Sequence, residues 1–66
     1  MNISEAVRQA AEDNNINGVV AMAKHCKLSY ERTVRVWKGD NSAKIADVMT
    51  VLGSVGLILY VGPKND

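Results

Sequence analysis

The chain has 66 residues, of which 47% are hydrophobic, and its formal net charge is +1. Such a length predicts one domain near the lower size limit for a core that folds alone, where dimerisation often adds buried area. The hydrophobic fraction argues against disorder, and no apolar run approaches the roughly 20 residues of a membrane span. A single cysteine cannot form an internal disulfide, which fits a reducing cytoplasm.

Charge is distributed unevenly along the chain. The segment from Lys24 to Lys44 holds six basic and two acidic residues, whereas the rest of the chain holds two basic and five acidic residues. One basic segment in a nearly neutral chain can give the directed electrostatic footprint of a nucleic-acid-binding protein. A solvated helix face with scattered lysines is the alternative that charge alone leaves open.

Two short helices joined by a tight turn are predicted at the centre of the chain. Asn17 is a favourable N-cap for a helix over residues 18 to about 26, and Ser29 is one for a helix over residues 30 to about 37. Residues 27–29 form the turn between them. This is the layout of a helix-turn-helix, in which the second helix lies in the major groove of DNA.

The flanking segments predict a bracing helix before these two and a supporting helix after them. The first helix has Ser4 as its N-cap and ends at the pair Asn14-Asn15. The fourth helix runs from about residue 43 to 52 and is capped by Asn41 or Ser42. Its buried stripe and the glycine that ends it are predicted to be Ile45, Val48, Met49, Leu52 and Gly53.

The C-terminal segment LILYV, residues 57–61, is continuously apolar and rich in strand-forming residues, which favours a β-strand. One strand in a short chain has no internal partner, so pairing with the same strand of a second copy is expected. A short fifth helix is the alternative. The predicted dimerisation segment spans about residues 55–61, and its interface residues are Leu57, Ile58, Leu59, Tyr60 and Val61.

The spacing of several residues resembles the Cro/CI-type helix-turn-helix repressors of phages and bacteria. In that family a small residue precedes the hydrophobic turn residue by five positions, Ser or Thr follows it, and Gly comes ten residues further on. The matching residues here are Ala23, Leu28, Ser29 and Gly39, followed later by the pair Leu52-Gly53. Antitoxin-like members carry a strand-like apolar tail, which LILYV resembles. The resemblance implies a mainly α, lambda-repressor-like DNA-binding domain over residues 1–66, with the helix-turn-helix at about 18–37.

Two positions depart from the family pattern. Lys27 stands where the turn usually has Gly, which predicts either a strained backbone conformation or an altered turn. Thr33 stands at a usually aliphatic position with Val34 beside it, so the rotation of the third helix stays open by part of a turn. Core positions are predicted for Met22, Cys26 and Trp37, and a surface position is predicted for His25.

A recognition helix presents its first turn and the next turn to the base edges of DNA. The predicted base-edge residues are Ser29, Tyr30, Glu31, Arg32 and Arg35. Arg35 is the strongest of these because arginine can donate two hydrogen bonds to guanine, although pairing with Glu31 at i, i+4 is the alternative. Helix N-termini and flanking polar groups supply phosphate contacts. The predicted phosphate-contacting residues are Asn17, Gly18, Lys38, Asn41, Ser42 and Lys44.

These features predict a repressor that binds a pseudo-palindromic operator in double-stranded DNA as a homodimer, in the cytoplasm of a bacterial or phage-infected cell. The alternatives are an antitoxin that also binds a toxin, and a helical protein-interaction module without DNA binding. The sequence lacks a Ser/His/Asp set and a Gly-rich phosphate loop, so no enzyme is expected. The adjacent pair His25-Cys26 cannot complete a zinc site, and no metal or cofactor is expected.

Overall fold

The computed structural model describes residues 2–60, and these form four helices. They are α1 (Ile3–Asp13), α2 (Gly18–Cys26), α3 (Tyr30–Lys38) and α4 (Ile45–Ser54). The prediction of a mainly helical fold is confirmed, and the two central helices begin and end within one residue of their predicted bounds. None of the four helices is long and apolar enough to cross a membrane.

Helix α3 lies at the centre of the fold and packs against each of the other three helices. One residue from each helix is almost completely buried in the core that they share: Val7, Met22, Val36 and Val51. Burial of such a side chain stabilises the folded state by roughly 1.5–3 kcal/mol. Hydrophobic packing on three sides therefore determines where α3 lies.

The same type of turn ends all four helices. One residue in each turn has a left-handed backbone: Asn15 (φ 60°), Lys27 (φ 60°), Gly39 (φ 73°) and Gly56 (φ 80°). The N–H of the following residue then bonds to a carbonyl five residues earlier, at 2.8–3.2 Å. After three of these turns the following residue is apolar and packs against the core, namely Ile16, Leu28 and Leu57. These are Schellman turns, which satisfy carbonyl groups at the helix end.

The start of α1 differs from the prediction, because the N-cap is Asn2 and the assignment of Ser4 was wrong. The side-chain oxygen of Asn2 accepts a hydrogen bond from the backbone N–H of Glu5 at 2.8 Å. Ser4 lies inside the first turn, is only 6% exposed, and donates a hydrogen bond to Oδ1 of Asn2. Ser4 packs against Gly39 and is therefore a buried residue of the first turn of α1, not its N-cap.

The beginning of α4 also differs from the prediction. Its N-cap position is held by Lys44, and the assignment of Asn41 or Ser42 as the cap was wrong. The carboxylate of Asp40 accepts a hydrogen bond from the backbone N–H of Ser42 at 2.7 Å, so these residues form a turn of their own. The helix therefore starts two residues later than the sequence predicted.

The buried face of α4 is rotated from the predicted one. Its buried residues are Asp47, Val48, Val51 and Leu52. Ile45 and Met49 are 62% and 56% exposed, so their predicted burial was wrong. Gly53 lies inside the helix, and Gly56 supplies the left-handed residue that Gly53 was predicted to supply.

Residues 57–60 follow α4 and lie in neither a helix nor a strand. Leu57 and Leu59 pack against the core, whereas Ile58 and Tyr60 are 89% and 83% exposed. This alternation is typical of an extended segment with one covered face. A short fifth helix does not form over these four residues, and strand pairing would need a second chain. Val61 lies outside the described residues.

Candidate nucleic-acid interface

The rotation of α3, which the sequence left open, is determined by its inward face. Thr33 is fully buried, and Val36 is 2% exposed. The hydroxyl of Thr33 donates a hydrogen bond to the backbone carbonyl of Ser29 at 2.9 Å, so its polar group is satisfied without water. Thr33 thus occupies a core position of α3, and Val34 beside it is half-buried.

The outward face of α3 carries the residues that were predicted to meet base edges. All five are exposed: Ser29, Tyr30, Glu31, Arg32 and Arg35. The hydroxyl oxygen of Ser29 accepts a hydrogen bond from the backbone N–H of Arg32 at 3.3 Å, which confirms Ser29 as the cap. Tyr30 is 54% exposed, so its ring is available to a ligand and is not a core residue.

One of these residues, Arg32, forms hydrogen bonds with a residue of α4. Its Nε lies 3.2 and 3.1 Å from the two carboxylate oxygens of Asp47 in α4, and its Nη2 also donates to Oδ1. The side chain of Asp47 is 5% exposed and that of Arg32 is 50% exposed. The hydrogen bond and charge of Arg32 hold the pKa of Asp47 below its ordinary value.

Asp47 is the residue of this region that sequence reasoning missed. The available signal was an acidic residue within the apolar run IADVMTVL of the fourth helix. A carboxylate on a largely buried face needs a cation or hydrogen-bond donors. Lys44 is the nearest basic residue in the sequence, but the partner that the fold supplies is Arg32 of α3.

A second carboxylate, Asp40, lies among the basic residues at the other end of α3. The backbone N–H of Ser42 lowers the pKa of Asp40 most, and the charges of Arg35 and Lys38 lower it further. The charges of Lys44 and Arg35 likewise lower the pKa of Asp47. The charges of Arg35, Lys38 and Lys44 thus favour the ionised form of these two carboxylates.

Most of the predicted phosphate-contacting residues lie at one edge of the fold, formed by the end of α3 and the loop after it. Those at the end of α3 and in the loop after it are all exposed: Lys38, Asn41, Ser42 and Lys44. Asn17 and Gly18 are exposed at the start of α2, where Asn17 is the N-cap residue but its side chain makes no capping hydrogen bond. The side-chain amide of Asn17 is thus not used in capping the helix.

A groove of about 610 Å³ adjoins this edge. Its walls come from the start of α1, the end of α3 and the start of α4, and they include Ile3, Arg35, Lys38, Asn41 and Ile45. The sequence indicated no role for the start of α1 at this edge. The contact between Ser4 and Gly39 explains its position there.

The remaining candidates have structural positions. Cys26 is buried as predicted, with its sulfur 4.0 Å from the hydroxyl of Thr33, and Trp37 is half-buried against the core. His25 is exposed, and its Nε2 lies 2.8 Å from the backbone carbonyl of Ser54, which links α2 to the end of α4. Among residues 2–60, no three His, Cys, Asp or Glu side chains are grouped as ligands for a metal ion.

No protein-family model matches this chain, and neither a curated protein nor a solved structure matches it.

Proposed function

We propose that the protein is a sequence-specific DNA-binding regulator, a Cro-like repressor whose α2, turn and α3 act as a helix-turn-helix. The observation that carries the proposal is the exposed face of α3, where Tyr30, Glu31 and Arg35 stand beside a basic edge. The inward face is held by Thr33 and Val36, so these outward residues have a defined direction. A helix presented in this way suits the major groove.

In the proposed complex, the start of α3 lies in the major groove and each outward residue has a chemical role. Arg35 donates two hydrogen bonds to a guanine, and Glu31 accepts one from a cytosine amino group. Tyr30 packs against a sugar or a thymine methyl group. The start of α2 and the loop from Lys38 to Lys44 bind phosphates on either side.

The proposed protein binds as a homodimer, with one α3 in each half-site of a pseudo-palindromic operator. Half-sites would lie about 34 Å apart, one helical turn of DNA. The exposed side chains of Ile58 and Tyr60 support an interface in the C-terminal segment. In a dimer this segment pairs as a β-strand with its two-fold copy.

The decisive experiment is binding to duplex DNA from upstream of the protein's own coding sequence, with a scrambled duplex of equal composition as control. Measurements at several salt concentrations should give selective binding that weakens steeply with salt, because each phosphate contact releases counterions. Equal and weak binding to both duplexes would contradict the proposal. That result would favour an interaction module, and a toxin partner would then be sought among neighbouring gene products.

The role of Arg35 is tested by Arg35→Ala in the same assay. We expect the preference for the operator over the scrambled duplex to fall by about 1–3 kcal/mol, roughly 5- to 150-fold. The matched control is Arg8→Ala, which removes an exposed arginine from α1. Equal effects of the two substitutions would contradict a base-reading role for Arg35.

The dimer is tested by Ile58→Lys, since Ile58 is 89% exposed and its substitution leaves the core intact. Sedimentation should show self-association weakened at least roughly tenfold, about 1.4 kcal/mol, while the folded monomer is retained. Leu59→Lys would instead disturb the packing of Leu59 on the core. A wild-type dimer in Ile58→Lys would exclude this segment as the interface.

A further inference from the structure

We infer that Arg32 is a positioning residue that acts through Asp47, clamping the start of α3 onto α4, and that base reading falls to its neighbours on the exposed face. The inference rests on the proposed function and assigns the exposed arginines of α3 different tasks. It concerns one hydrogen-bonded pair, Arg32 and Asp47, that joins the predicted recognition helix to the helix behind it.

The geometry of the pair is that of a structural contact. Nε of Arg32 lies 3.2 and 3.1 Å from the two oxygens of Asp47, and Nη2 donates to one of them. One edge of the planar guanidinium is thus occupied by the carboxylate. Donating two hydrogen bonds to a guanine also requires one edge of the guanidinium. To read a base in this way, Arg32 would have to give up or share its contact with Asp47.

Burial shows which member of the pair depends on the other. The side chain of Asp47 is 5% exposed, whereas that of Arg32 is 50% exposed. A carboxylate on a largely buried face needs compensation, because its water shell has been removed. If Arg32 turned to DNA, Asp47 would lose the hydrogen bonds that Arg32 donates. The contact with Asp47 therefore opposes binding of Arg32 to DNA.

The position of the pair explains how it could affect recognition. Arg32 lies in the first turn of α3, between Glu31 and the buried Thr33, and Asp47 lies in the first turn of α4. Fixing this turn against α4 restricts the direction of Tyr30 and Glu31, which a small rotation of α3 would redirect. Selectivity therefore depends on the pair even though neither member needs to touch a base.

The test compares Arg32→Lys, Asp47→Asn and the double variant with the wild type. Lysine keeps the positive charge but lacks the planar fork of arginine, so it cannot reproduce the contact with both carboxylate oxygens. Each protein is titrated with the upstream duplex and the scrambled duplex at several salt concentrations. Circular dichroism at the assay temperature confirms that each variant is folded.

We expect each single variant to lose roughly tenfold or more in the ratio of operator to scrambled binding, and the double variant to lose no more than the worse single variant. Such non-additivity is the signature of two residues acting as one unit. The dependence of log affinity on log salt should stay unchanged in Asp47→Asn, because no phosphate contact is lost. The inference would be overturned if Asp47→Asn kept wild-type selectivity while Arg32→Lys lost it.

A measurement without DNA separates failure of this inference from failure of the proposed function. The NMR signal of the Arg32 Nε–H should be protected from solvent exchange in the wild type and should exchange faster in Asp47→Asn, whose neutral amide offers one acceptor oxygen in place of two charged ones. Absence of protection in the wild type would overturn the clamp itself. A wild-type protein with a protected signal but no preference among duplexes would instead overturn the proposed function, and with it this role for Arg32.

Discussion

The turns on either side of α3 share a backbone geometry but contain very different residues. Before α3, Lys27 has φ 60° and ψ 37°, and after it Gly39 has φ 73° and ψ 32°. In each turn the next residue donates its N–H to a carbonyl five residues earlier. One left-handed position therefore carries a long charged side chain, and the other carries none.

Packing explains this difference better than the dihedral angles do. A Cβ added to Gly39 would lie 3.2 Å from both Cβ and Oγ of Ser4, which is buried in the first turn of α1. Lys27 is exposed. A left-handed turn thus accepts a side chain that faces solvent, with a backbone strain of about 1–2 kcal/mol, and favours glycine more strongly where another helix packs against it.

The largest effect is expected from Gly39→Ala, which should lower the free energy of unfolding by about 1–2 kcal/mol through backbone strain, and further through the contact with Ser4. Urea denaturation measures this change. The control is Gly53→Ala inside α4, where an added Cβ has no neighbour within 4 Å. That substitution should raise stability by about 0.5–1 kcal/mol. Opposite signs for the two would confirm the comparison, and a wild-type stability for Gly39→Ala would contradict it.

Much of the region around these turns could be predicted, because its signals are local. Ser29 as a cap and Gly39 as a helix end are adjacent to the helix that they delimit. The rotation of α3 could not be predicted, because Thr33 is polar and Val34 beside it is apolar. A hydroxyl can be buried only if it has a partner, and that partner, the carbonyl of Ser29, is known only once the helix is built.

A smaller effect is expected from Ser29→Ala, which removes the side-chain cap between Lys27 and α3. The free energy of unfolding should fall by about 1 kcal/mol, because the N–H of Arg32 loses its partner. Ser29→Asp restores a capping oxygen and should remain close to the wild type in thermal unfolding. An equal loss in both variants would indicate that the hydroxyl stabilises the turn by some means other than capping.

The fourth helix shows where sequence periodicity fails. Apolar spacing favoured Ile45 and Met49 as buried residues, and both are exposed. The helix is rotated so that Asp47 faces α3, where Arg32 compensates its charge. Periodicity treats every acidic residue as outward-facing, so a carboxylate paired with a neighbouring helix is assigned to the wrong face. Likewise the strand expected in the C-terminal segment depends on a second chain, which one sequence does not contain.

Replacing Lys27 by Gly should stabilise the protein by roughly 0.5–1 kcal/mol, since glycine adopts the left-handed conformation without strain while losing more entropy on folding. Thermal unfolding should show the increase. The matched control is Lys24→Gly, the same substitution three residues earlier inside α2, which should destabilise the helix by about 1 kcal/mol. No gain from Lys27→Gly would mean that the lysine side chain itself contributes to the turn.

The smallest expected effect is a pH-dependent difference in stability, which distinguishes the two turns. Only the turn after α3 is followed by a carboxylate, Asp40, whose pKa is lowered from 3.8 by the N–H of Ser42 and by the charges of Arg35 and Lys38. A carboxylate with a lowered pKa in the folded state stabilises that state above its unfolded pKa, and this contribution disappears as the pH falls through the folded value.

Asp40→Asn should therefore be less stable than the wild type at pH 7, and the difference in melting temperature should vanish in strong acid. Lys27→Gly should keep its advantage at both pH values, because residues 27–29 of that turn include no carboxylate. A pH-independent difference for Asp40→Asn would contradict this expectation, because it would mean that the charge of the carboxylate contributes nothing to the turn.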